Sequence, residues 1–130
     1  MLGRGAGGAP KAARLTSFAP EAKIPGCEDS YVSTVEFTVL GGGTEIGANS
    51  YFVSGADTGI ILDCGLHPKK EGRDALPDLS ILTRPPDVAL VSHGHVDHCG
   101  AVPYLLRQFP GLFVYTTRPT VSIMDRMLHN

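Results

Sequence analysis

The sequence predicts an α/β layered domain. Three observations carry that prediction. Short runs rich in β-branched residues crowd the stretch from Val35 to Val91, two segments with apolar residues at helical spacing follow, and a strand-like run separates those two. Strands therefore come first, then strand–helix–strand–helix, which is the order of an α/β domain rather than a pure β sandwich. The length of 130 residues suits about one small domain, and an apolar content of 42% suffices for a core of ordinary size. No internal repeat is visible.

Residues 1–33 open with MLGRGAGGAPKAARLTSFAP, which is rich in Gly, Ala and Arg and has no acidic residue before Glu21. It lacks the apolar centre of a secretory signal. Composition favours a disordered tail over an organellar transit peptide. Residues 34–130 form the expected domain. VEFTVL alternates and reads as a strand running into a turn at Gly41-Gly42-Gly43, where glycine supplies positive φ at little cost. A phosphate cradle there is disfavoured, because no Lys-Ser/Thr follows the glycines. SYFVS and GIILDCG read as two strands joined by a hairpin connection over 55–59. LHPKKEGRDALPDLS, polar and proline-bearing, reads as a loop. DVALVSH is a short continuous apolar run, which suits a strand buried on both faces. GAVPYLLRQF predicts a helix with Pro103 in its first turn, where a missing N–H is harmless. LFVYTT predicts a further strand, and PTVSIMDRMLHN a second helix with Pro119 near its start.

Bulk properties narrow the function. A net charge of −2 and a pI near 6.2 advertise no global basic field for nucleic acid, although a basic groove can sit on a neutral chain. Cys27, Cys64 and Cys99 are odd in number and unpaired in spacing, which suits free thiols in a reducing, intracellular setting, cytoplasmic or nuclear. No apolar run approaches the roughly 20 residues that span a bilayer, so no membrane role is expected.

The chemistry concentrates in VSHGHVDHCG, which holds His93, His95, Asp97 and His98 within six residues of a chain with five histidines in all. The stretch follows a strand and precedes a helix, so it occupies a strand's C-terminal end, where α/β sheets bind ligands. His93 and His95 are two apart, and in extended chain both imidazoles point the same way and can reach one ion. Asp97 and His98, after the chain turns into the helix, can address a second ion. Imidazole nitrogen and carboxylate oxygen are zinc ligands at about 2.0–2.2 Å, and two ions about 3.5–4 Å apart can clamp a scissile phosphate or carbonyl. The alternative, a polar loop whose histidines only hydrogen-bond, is disfavoured by the rarity of H-x-H-x-D-H in chance sequence.

HGHVDH resembles the second motif of the metallo-β-lactamase superfamily. Asp63 in IILDCG, at a strand end, is similar to that superfamily's first-motif aspartate. GGGTEIGANSYFV looks like the opening hairpin of the β-CASP RNA-processing nucleases. DCGLHPKKEGRDALPDLS with SHGHVDHCGAVPYLL resembles the polyadenylation-type endonucleases and, less closely, ribonuclease J. The resemblance covers residues 35–130 and implies a partial metallo-β-lactamase fold, the N-terminal half of an αββα sandwich. It further implies two Zn2+ ions in the complete enzyme, His93 and His95 holding the first, Asp97 and His98 the second, and Asp63 accepting a hydrogen bond from a ligand imidazole. Asp97, His98 and Asp63 are on this basis the residues assigned to catalysis. The implied reaction is attack of an activated water on an RNA phosphodiester, with single-stranded RNA as substrate.

One departure qualifies the match. The superfamily's later motifs, a third-motif histidine and a fourth-motif aspartate, have no counterpart after His98. His129 is the remaining histidine there and reads as a helix-terminal residue interacting with carbonyls. The expectation is therefore the N-terminal portion of a longer enzyme, inactive alone. Two further classes stay open: another hydrolase of the same fold acting on a thioester, lactone or small phosphoester, and a non-catalytic partner-binding chain. Elsewhere, Cys64 and Cys99 read as small buried packing residues. His67 reads as either site-facing or structural, and Lys69, Lys70 and Arg73 read as a solvated basic loop.

Overall fold

The structure is a computed structural model that describes residues 14–16, 35–55 and 57–128. Six strands make one sheet in chain order: β1 (Arg14–Thr16), β2 (Glu36–Gly41), β3 (Ser50–Ser54), β4 (Gly59–Leu62), β5 (Val88–Leu90) and β6 (Phe113–Tyr115). The first four pair antiparallel as a meander. β5 joins β4 parallel and β6 joins β5 parallel, as the predicted change from strands to strand–helix–strand requires. Helices α1 (Val96–Cys99) and α2 (Val102–Gln108) form the crossover from β5 to β6, and α3 (Arg118–Leu128) follows β6. Pro103 sits in the first turn of α2 as expected. The loop between β4 and β5 carries two 3-10 turns, Gly72–Ala75 and Leu79–Ile81. In the second, Asp78 at the N-cap accepts a hydrogen bond from the Ser80 amide.

Within the expected tail, Arg14–Thr16 is described and pairs with Glu36–Thr38 at the sheet edge. The rest of 1–33 lies outside the described residues, as do Cys27 and His129.

One face of the sheet makes the core. Thr38, Phe52, Ile61, Ala89 and Val114 lie in one cross-strand row. Phe52 and Ile61 are 0% exposed and pack in one cluster with Leu40, Cys64, Val91, Cys99, Val102 and Leu105. Gly59 lies under the Phe52 ring, where a Cβ would sit 2.8 Å from Cζ. The opposite face is also apolar: Phe37, Val53, Ile60, Val88 and Phe113 form one row, and Val39, Tyr51, Leu62, Leu90 and Tyr115 the next. No described layer covers it. Leu90 is 39% exposed, Tyr115 60% and Phe113 71%. The expectation of a β5 buried on both faces is thus corrected: its Val88 and Leu90 point to this second face, and only Ala89 enters the core. One sheet with helices on one side is a mixed α/β arrangement consistent with part of the αββα sandwich.

Candidate metal centre

The centre forms where β4 and β5 end side by side. Asp63 follows β4, donates its amide to the Leu90 carbonyl (2.9 Å), and then takes a left-handed backbone, φ 58°. Aspartate tolerates that conformation better than most residues. The turn ends the strand and swings the carboxylate across to the neighbouring one. Oδ1 accepts from the Ser92 amide at 2.7 Å and Oδ2 from the Ser92 hydroxyl at 2.8 Å. The side chain thereby continues the ladder that its own backbone has left.

After Ser92 the chain bends at Gly94 and reaches His95, whose carbonyl accepts from the amides of His98 (2.9 Å) and Cys99 (3.0 Å) as α1 begins. The next segment over from β4 holds this short helix from below. Cys64 donates to the His98 carbonyl at 2.8 Å and Leu66 to the Val96 carbonyl at 2.9 Å. Gly65 allows the approach, since a Cβ there would collide with the Asp97 carbonyl.

All five sequence-predicted site residues come together. His93 Nε2 lies 3.1 Å from His95 Nδ1, with the rings edge to face at 4.7 Å between centroids. His98 Nε2 lies 3.6 Å from Asp97 Oδ2. The His93 and His98 rings are 4.1 Å apart, so the two pairs adjoin. His98 Nδ1 meets Asp63 Oδ2 at 2.8 Å. Because a carboxylate only accepts, the neutral imidazole carries its proton on Nδ1 and offers the Nε2 lone pair toward Asp97. Ser92 extends the same control to His93: its Oγ donates to Asp63 and, 2.9 Å from His93 Nδ1, accepts from that nitrogen, leaving His93 Nε2 free to face His95.

The donor set fits zinc. Two ligands about 2.0–2.1 Å from a tetrahedral ion are about 3.4 Å apart, and the two pairs stand at 3.1 and 3.6 Å. Among the described residues no three His, Cys, Asp or Glu side chains gather round one point. The donors come as two pairs, each filling about half of a coordination sphere of four.

Two residues of the centre carried no signal in the reading of the sequence. Ser92 stands inside the motif stretch, and its position at the strand end beside Asp63 is the feature that could have marked it. Asn49 lies 48 residues before Asp97 and still places its amide nitrogen 3.2 Å from the Asp97 carbonyl oxygen, 3.3 Å from Asp97 Oδ2 and 3.2 Å from His98 Nε2. Nothing local in GANSY announces that contact.

The other candidates resolve as packing or surface groups. His67 is buried and structural: Nδ1 accepts from the Lys69 amide at 3.1 Å, and Nε2 is 3.5 Å from Glu45. Lys70 pairs with Glu45 at 2.6 Å, and the bond holds the Glu45 carboxyl below its ordinary value. Cys64 and Cys99 are free, buried thiols in the core. Burial pushes the Cys64 thiol up to about 12 and raises Cys99 in the same direction, so neither supplies a thiolate to the site at neutral pH. Among the described residues no helix is long and apolar enough to cross a membrane.

The family model described as the metallo-beta-lactamase superfamily matches residues 43–117, which include every residue of the centre. The chain is 42% identical over 101 residues to an endoribonuclease ysh1 of Aspergillus fumigatus, covering 72% of this chain and 11% of that protein. It is 34% identical over 117 residues to cleavage and polyadenylation specificity factor 73 of Drosophila melanogaster, covering 88% of this chain and 16% of that protein. Integrator complex subunit 11 of Gallus gallus is 34% identical over 104 residues, 74% of this chain and 17% of that protein. The resemblance drawn from HGHVDH and its flanks is borne out. The chain spans between about a tenth and a sixth of the length of these relatives.

Proposed function

The chain belongs to the metallo-β-lactamase superfamily, and from that membership we propose that it carries one part of a zinc-dependent centre that hydrolyses RNA phosphodiesters. The observation that carries the reading is the pair of ligand pairs anchored on Asp63. His93 Nε2 and His95 Nδ1 would hold one ion, Asp97 Oδ2 and His98 Nε2 the other. A zinc pair supplies Lewis acidity and a nucleophile at neutral pH when bound. The chain's own contribution is orientation. Asp63 fixes the tautomer of His98 directly and that of His93 through Ser92, so two imidazoles present unprotonated nitrogens toward their partners. The backbone bonds from Cys64 and Leu66 to α1 keep Asp97 and His98 at a fixed height above the sheet.

RNA as the substrate rests on the relatives: the Aspergillus protein is named an endoribonuclease, and the Drosophila protein a cleavage and polyadenylation specificity factor. Single-stranded RNA processing inside the cell, in nucleus or cytoplasm, agrees with two buried free thiols.

Two measurements test the reading. Zinc titration of the purified chain, followed by metal analysis after gel filtration, should show uptake that falls in His95→Ala and in His98→Ala. Equal zinc content in wild type and in a His93→Ala/His98→Ala double variant refutes the metal assignment. Replacing the matching stretch of the Drosophila relative with residues 35–128 should give a chimera that cleaves labelled single-stranded RNA and stops doing so with Asp97→Ala. A zinc-loaded chimera that hydrolyses a generic small ester and leaves RNA intact would point to a different hydrolase.

A further inference from the structure

We propose that Asn49 is a latch on the Asp97–His98 pair: its side-chain amide competes with a metal ion for the His98 Nε2 lone pair and holds this half of the centre at lower affinity. The inference rests on the zinc reading above. Its first support is the orientation of the amide. Nδ2 faces the Asp97 main-chain oxygen (3.2 Å) and Asp97 Oδ2 (3.3 Å), both of which only accept, so the nitrogen end is the one that points at the pair. Oδ1 turns away and accepts from the Tyr51 hydroxyl at 3.4 Å. The third contact of Nδ2 is His98 Nε2 at 3.2 Å. Asp63 holds the proton of His98 on Nδ1, so Nε2 has one in-plane lone pair and nothing else to offer. That lone pair takes either an amide proton or an ion.

The backbone keeps the latch in place. The Asn49 amide donates to the Asp97 carbonyl at 2.9 Å, and the Asn49 carbonyl accepts from Gly65 at 3.0 Å. When an ion takes Nε2, the amide loses that bond and keeps the one to the Asp97 carbonyl, so the residue stays at the lip of the centre. Asn49 makes no contact with His93 or His95 among its hydrogen bonds. The effect is therefore selective, and the His93–His95 pair fills first. Asn49 is a positioning residue here, acting through His98.

The test is competitive Zn2+ titration of the purified chain against a chromophoric chelator, with His93→Ala and His98→Ala backgrounds to assign the two binding steps. Asn49→Ala should tighten the step that His98→Ala removes by about three- to tenfold, the equilibrium weight of one neutral hydrogen bond. The other step should not move. Asn49→Ser, too short to reach Nε2, should behave as Asn49→Ala does. Weaker or unchanged binding at that step in either variant overturns the latch, the weaker case making Asn49 a buttress instead. A readout in the wild-type chain needs no substitution: zinc filling the Asp97–His98 pair should shift the Asn49 side-chain amide resonances. Their constancy through saturation overturns the proposal. Failure of the wild-type chain to take up any zinc is a different result, which removes the metal reading itself.

Discussion

Asp63 combines a costly backbone with a carboxylate that organises two imidazoles. At φ 58° an alanine would carry roughly 1–2 kcal/mol of strain, whereas asparagine tolerates the same backbone and keeps the side-chain shape. Asp63→Asn therefore isolates the charge. Its single amide oxygen cannot accept from the Ser92 backbone amide and from His98 Nδ1 at once, as the two carboxylate oxygens do. Zinc affinity should fall about 10–100-fold, the usual effect of losing the group behind a ligand histidine, with an unchanged far-UV circular dichroism spectrum. Undiminished zinc affinity would show that His98 is oriented without it. Cys64 offers a second test at this scale. Burial raises its thiol to about 12, with the Asp63 charge adding to the shift. Below about pH 9 the folded and unfolded chains both keep the proton and pH has no leverage. Above that the unfolded chain ionises first, so stability falls as pH rises. In a Cys27→Ser chain at pH 8, Cys64 and Cys99 should react with a thiol reagent only after urea is added. Rapid labelling of the folded chain would show that the thiols are accessible.

Helix α1 has four residues and cannot stand on its own hydrogen bonds. It exists because the 64–66 segment bonds to its carbonyls and because Gly65 has no side chain to push it away. Gly65→Ala should cost about 1–3 kcal/mol, the range for forcing a methyl into a filled space, measured as a shift in the urea midpoint. It should lower zinc uptake as well, since the collision is with Asp97 itself. The sheet poses a different problem. Short apolar, β-branched runs marked the strands, but the continuous run at β5 could not say whether its second apolar face is covered. Leu90, Phe113 and Tyr115 lie on that face and are exposed, and an uncovered apolar patch of several hundred Å2 promotes association. The chain should self-associate at micromolar concentration in sedimentation velocity, and a Leu90→Ser/Phe113→Ser variant should shift toward monomer. A monodisperse wild-type monomer would mean the face is protected in some other way.

At the scale of the whole molecule, what was legible in the sequence was what is local. H-x-H-x-D-H shows in six letters because one strand end and one helix start bring its donors together, and Asp63 shows because it closes a strand. The latch at Asn49 and the Ser92 relay depend on β3 and β4 lying beside the loop, a relation across 48 and 29 positions that leaves no pattern in the text. The same locality bounds the chemistry. Each proposed ion receives two donors from the described residues, while zinc in proteins is held by three or four. Two donors would leave a bound ion loosely held, so this chain's own residues would not give the attacking and leaving oxygens of a phosphodiester a rigid clamp. The net charge of −2 also gives the chain little electrostatic hold on RNA phosphates. The 130-residue chain by itself should therefore bind zinc yet show no metal-dependent cleavage of labelled single-stranded RNA, even with zinc in excess. Chelator-sensitive cleavage that disappears in His95→Ala would show that two donors per ion suffice.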